Sequence, residues 1–314
     1  MDEAAPEVVV GIDFAGPAQA ARQRRKILVV AATRYAARAY RVTASGLNER
    51  LLGAPPGWTA AELADGILSS EVPVSVVAPD FPFSLPRTLL ESDDFAARVG
   101  APAAFRTWEA FNAAVRAALP LSCPVDYSAF QAWKDPAFRL KRACDVTCGA
   151  QPPLKYKFQV LFNMTLLGAA FLGRLESSGR FDVVPFQARG RTPVIEIYPG
   201  HTMRSLGVPG YKGSPRPAIE ATLEHVRGLG FKFEVDPAIR AVCETYDSGR
   251  RGATDHDAAD ALVAATVAAL HREGDATPFD GGEGCRHEGT IWSVRGRSKG
   301  LVPRAEGRGA LGGG

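Results

Sequence analysis

The sequence predicts an α/β fold: a mixed sheet in which a three-stranded antiparallel meander continues into parallel strands, flanked by helices and interrupted by a helical insertion. Three observations carry this. Three short apolar runs follow one another up to Ala44 with short connections, the pattern of a meander. Next come a capped helix and a strand that is apolar at nearly every position, as expected when both faces are covered. Between about Pro86 and Pro185 periodic segments broken by prolines replace the strands.

Val8 to Ile12 is a β-branched strand that runs into Asp13 and stops at Gly16-Pro17. Arg22 to Lys26 forms a basic cluster at a turn. The second and third strands are Ile27 to Ala32 and Ala39 to Ala44, and Gly53 to Gly57 is a loop. Thr59 and Glu62 have the spacing of a capping box, opening a helix through Leu68. The fourth strand is Pro73 to Ala78, ending in Pro79-Asp80-Phe81-Pro82. Helices are predicted over Phe95 to Val99, Trp108 to Leu119 and Phe158 to Leu175, a strand over Thr192 to Tyr198, and a helix over Pro217 to Leu229. Asp255 to His271 has the clearest helical pattern, with Asp255 expected as its N-cap. Gly281 to Gly289 reads as a turn-rich loop, Thr290 to Val294 as a last strand, and 296–314 as a disordered tail. The expected organisation is a single domain over 7–295 with an insertion at about 86–185.

Composition narrows the class without naming the chemistry. In 314 residues, 46% apolar and 23% charged, wholesale disorder is excluded, and a formal net charge of +3 is far below that of a dedicated nucleic-acid coat. The cysteines Cys123, Cys144, Cys148, Cys243 and Cys285 are odd in number and scattered, so they form no disulfide framework. No basic and apolar leader and no membrane-length apolar run is visible, so the cytoplasm is the expected location and no membrane the expected partner. Cys144-x-x-x-Cys148 has only Cys285-x-His287 as a second half, which argues against structural zinc. Trp108, Phe111, Trp133 and Phe138 are expected in the core.

The acids are placed unusually. Asp13 and Asp80 directly follow apolar strands, and Glu196 sits inside one, Val194-Ile195-Glu196-Ile197-Tyr198. Strand ends cluster in space, so acids there can converge. A carboxylate within an apolar strand needs a partner, either a metal ion or a buried Arg or Lys. Asp257 and Asp260 are three apart, on one face of a helix otherwise apolar all round. The helix dipole alone favours acids in a first turn, and Asp13 and Asp80 beside Gly-Pro and Phe-Pro can also serve as turn residues.

Gly11-Ile12-Asp13, the acid after the fourth strand and Asp257-Ala258-Ala259-Asp260-Ala261-Leu262 together resemble the RNase H-like nuclease superfamily. The last segment is similar to the closing helix of the RuvC-type Holliday-junction resolvases. A closer resemblance is to an uncharacterised domain-of-unknown-function family of predicted RNase H-like nucleases. That likeness rests on Ala78-Pro79-Asp80-Phe81-Pro82, Glu196-Ile197-Tyr198-Pro199, Gly210-Tyr211-Lys212-Gly213 and Glu288-Gly289-Thr290-Ile291-Trp292. The resemblance spans Gly11 to Trp292 and implies an RNase H-like mixed sheet and a nuclease acting on a nucleic acid of unspecified type. It leaves the oligomeric state open, a homodimer included.

The chemistry agrees with these residues. Phosphodiester cleavage must neutralise the attacking and leaving oxygens, and two Mg²⁺ or Mn²⁺ ions roughly 3.5–4 Å apart do so. Asp13 is expected to bridge them, with Asp80, Glu196, Asp257 and Asp260 as the remaining ligands. Lys212 is expected to meet phosphate as a point charge. Two other classes remain open: a non-catalytic nucleic-acid or metal-binding protein on the same scaffold, and an actin-like or sugar-kinase-type phosphotransferase. The latter needs a second copy of the fold, which the sequence lacks.

Overall fold

Side chains alternate along β1 (Glu7–Asp13) between two apolar cores, and that alternation organises the molecule. Val8, Val10 and Ile12 enter one core and Val9 the other. The computed structural model describes residues 5–54, 56–157, 161–246, 256–279, 282 and 285–295. After β1 come α1 (Ala20–Gln23), β2 (Leu28–Ala36), β3 (Ala39–Val42), α2 (Ala60–Leu68) and β4 (Val74–Asp80). Five helices follow: α3 (Arg87–Leu90), α4 (Asp93–Arg98), α5 (Trp108–Ala118), α6 (Ala143–Cys148) and α7 (Phe162–Ser177). The chain then forms β5 (Phe181–Val184), β6 (Thr192–Ile197), α8 (Pro199–Ser205), α9 (Pro215–Gly228), β7 (Lys232–Val235) and α10 (Pro237–Thr245). It closes with α11 (Asp257–Arg272), β8 (Thr277–Phe279), α12 (Cys285–Glu288) and β9 (Ile291–Ser293).

Among the described residues the strands form one mixed sheet in the order β7-β3-β2-β1-β4-β6-β9-β8, with β5 also paired to β6. β1, β2 and β3 are the expected antiparallel meander, and β4 and β6 continue it parallel to β1. β7 adds to the meander edge parallel to β3, while β9 joins β6 in parallel and β8 closes antiparallel. The insertion is not wholly helical as expected, because its end, β5, pairs in parallel with β6. α12 lies within the segment expected to be loop. The Asp255 cap and the 296–314 tail lie outside the described residues; His256 occupies the N-cap position of α11.

The helices cover both faces. α2, α5 and α7 pack with Val10, Ile12 and Val77 on one side, and Trp108, Phe111, Trp133 and Phe138 are buried there. α11 covers the other side, buried from Asp257 through Leu270. It lies directly on β1: a Cβ on Gly11 would stand 2.0 Å from the Ala265 nitrogen and 2.4 Å from the Ala261 carbonyl oxygen. Contact that close requires glycine on the strand and suits the alanines of the helix. It holds the first turn of α11 at a set height over the sheet. No helix of the described residues is long and apolar enough to cross a membrane.

Candidate metal centre

Asp13 and Asp80 are the last residues of two adjacent parallel strands and are partners in register. The two-residue period points both toward α11, because Val9 on β1 and Val76 and Ala78 on β4 belong to that core. Asp260, in the first turn of α11, completes a triad: one carboxylate oxygen from each of Asp13, Asp80 and Asp260 lies within 4.8 Å of the others. Among the described residues no other group of three or more His, Cys, Asp or Glu side chains meets that spacing.

Three carboxylates this close repel one another. Burial raises the Asp13 carboxyl well above the usual range, and Asp257, Asp260 and Asp80 push it further, against the opposing charge of Lys26. Burial also raises Asp80, reinforced by Asp260 and opposed by Lys212. No ion pair joins Asp13 or Asp80 to a described cation. A hard divalent cation fits three such oxygens, since its charge offsets their mutual repulsion.

The flanking residues each constrain one acid. The Tyr211 hydroxyl donates to Asp260 Oδ1 at 2.6 Å. Its phenol is raised by burial and then by Asp260, so it stays a donor. Tyr211 is packed with Met203, Ala218 and Val263, which fixes the ring. His256 Nε2 is 3.6 Å from Asp260 Oδ2 and 3.9 Å from Asp257 Oδ1. Lys26 donates from Nζ to Asp257 Oδ2 at 2.5 Å. Lys212 is exposed beside the buried Tyr211, and its charge reaches Asp80.

Of the acids expected as ligands, Asp13, Asp80 and Asp260 come together. Asp257 is adjacent, in the first turn of α11, but is held by Lys26. Glu196 is placed elsewhere, a correction to the expected ligand set. Val194 packs in the insertion-side core and Ile195 and Ile197 in the α11 core, so the pleat sends Glu196 to the face opposite the triad. There it meets a buried arginine, the alternative partner. Arg142, 1% exposed, donates to Glu196 at 2.7 and 2.5 Å and to Asp145 at 3.0 and 2.7 Å. Its remaining bond goes to the Glu288 carbonyl oxygen at 3.1 Å, and Glu196 Oε2 also accepts from the Phe83 amide.

Tyr211 and Lys26 are the site residues that reasoning from sequence passed over. Tyr211 stands in the Gly210–Gly213 tetrad and Lys26 in the basic cluster, and nothing local to either motif shows the acid each one meets. The Cys144 and Cys148 thiols are buried in a small apolar cluster, and burial pushes Cys148 up to about 12. The Cys285 side chain lies outside the described residues.

Compared with known proteins, the chain matches no family model, no curated protein and no solved structure.

Proposed function

We propose that this protein is a metal-dependent nuclease of RNase H-like architecture, hydrolysing phosphodiester bonds with Mg²⁺ or Mn²⁺ held by Asp13, Asp80 and Asp260. The observation that carries the reading is the convergence of these three carboxylates at the ends of β1 and β4 and the start of α11. The sheet order around them supports it: an antiparallel meander, parallel strands beyond β1, and a closing helix seated on the central strand.

A bound divalent cation supplies charge neutralisation at the scissile phosphate and an acidified water. The protein's own groups hold the geometry. Asp13 and Asp80 are fixed by strand register, and Asp260 by the Tyr211 hydroxyl at Oδ1. Lys212, exposed at the rim, offers a point charge to a phosphate on the nucleic acid. The nucleophile is water, so no Ser or Cys nucleophile is needed.

The test is a panel of DNA, RNA, hybrid and branched substrates with Mg²⁺ and with Mn²⁺, run beside Asp13→Asn. Cleavage of at least one substrate, lost in the variant while its circular dichroism is unchanged, is the expected result. No cleavage of any substrate with either metal overturns the catalytic reading.

A further inference from the structure

We propose that the site binds one divalent cation rather than two, and that the ammonium of Lys26 fills the place of the second. This rests on the metal-dependent reading above and departs from the two-ion arrangement expected from the sequence.

The acids around Asp13 divide into two sides. On one, Asp80 and Asp260 bring oxygens within 4.8 Å of it and of each other, a donor set for one ion. On the other stands Asp257, one turn before Asp260 on the same face of α11, the face that Gly11 seats on β1 two residues before Asp13. A second ion would have to sit between Asp13 and Asp257. That side already holds a cation: Lys26 Nζ lies 2.5 Å from Asp257 Oδ2, and its charge also acts on Asp13.

The ion pair is well sheltered, with side-chain exposures of 21% for Lys26 and 11% for Asp257. It is also anchored at both ends. Lys26 lies in the short link between α1 and β2, where its amide donates to the Gln23 carbonyl at 2.8 Å. Asp257 opens α11, which Gly11 seats on β1. A fixed ammonium gives one positive charge where a metal would give two, without a metal's ligand demand. For a phosphodiester it would offer a fixed positive charge to an oxygen of the scissile phosphate.

The experiment counts bound Mn²⁺ per chain by the loss of the free-ion signal in room-temperature electron paramagnetic resonance, on the full-length protein. Wild type is expected to bind one equivalent. Lys26→Met, which keeps the aliphatic stem and removes the charge, is expected to bind two. The Lys26→Met, Asp257→Asn double variant returns to one, and Lys26→Arg stays at one. Lys26→Gln replaces the methionine variant if circular dichroism shows that the latter is unfolded. Two equivalents in wild type, or one in the charge-removing variant, overturns the inference and leaves the metal-dependent reading standing. No binding in wild type overturns that reading, and this inference with it.

Discussion

Two acidic centres lie at the same end of the parallel strands, on opposite faces of the sheet, and they are built on opposite plans. On the insertion side, Glu196 and Asp145 surround Arg142, whose five guanidinium protons are all donated. Glu288 completes that centre by accepting from the Arg87 and Ala143 amides, each at 2.6 Å. Its polar groups are satisfied internally and staple α3, α6 and α12 to β6. On the α11 side, Asp13, Asp80 and Asp260 bring oxygens within 4.8 Å of one another, and among the described residues no arginine is ion-paired to Asp13 or Asp80. Burial of an acid is therefore not by itself a sign of function. What separates the centres is that Arg142 pairs with the acids of one, while Asp13 and Asp80 have no ion-paired cation among the described residues.

The comparison can be broken most forcefully at Arg142. Replacing it by Met leaves Glu196 and Asp145 buried without their cation, and we expect a loss of about 3–5 kcal/mol in urea unfolding. A loss under about 1 kcal/mol would show that this centre is not held together by its charges.

On the other face the sign is reversed. Asp80→Asn removes one repelling carboxylate, so the metal-free protein is expected to gain on the order of 1 kcal/mol. The variant should also lose the stabilisation that metal confers on wild type, about 2.7 kcal/mol at a hundredfold excess over Kd. Thermal melts with chelator and with Mn²⁺ measure both; a destabilised metal-free variant would place Asp80 with the structural acids.

The pH dependence sharpens the same contrast. Asp13 and Asp80 have folded values raised above their unfolded ones, so their contribution is fully present below about pH 4 and is lost as pH rises through the raised range. Metal-free stability should therefore fall with rising pH relative to the Asp13→Asn, Asp80→Asn double variant, and the gain from Mn²⁺ should grow over the same interval. A metal-induced shift independent of pH between 5 and 8 would contradict this linkage.

The smallest expected effect is at Tyr211. Tyr211→Phe keeps the packed ring and removes only the donor to Asp260, so Mn²⁺ affinity is expected to fall about tenfold with stability in chelator little changed. Unchanged affinity would remove Tyr211 from the site.

How much of this was legible in the sequence depended on the range of the interaction. The Thr59 and Glu62 capping box forms as read, each side chain bonding the other's amide, because both partners lie within one turn. The meander, β4, β6 and the buried α11 were legible because runs of apolar residues carry their own period. β7 and β8 were not, since neither Lys232–Val235 nor Thr277–Phe279 holds a run of adjacent apolar residues. Asp13, Asp80, Asp257 and Asp260 could be picked out as acids ending apolar segments. Glu196 was legible as an acid inside its strand, but the register of the pleat decides which face it takes, and a shift of one residue reverses it.

By itself, then, the sequence determined the local units: strands that end in acids and a helix apolar all round but for its first turn. Tertiary structure alone decided which acids are compensated. Arg142 is 54 positions from Glu196, Tyr211 is 49 from Asp260, and Lys26 is 231 from Asp257. The cost of an unpaired buried charge is set by what lies within a few ångströms of it, and separation along the chain carries no information about that neighbourhood.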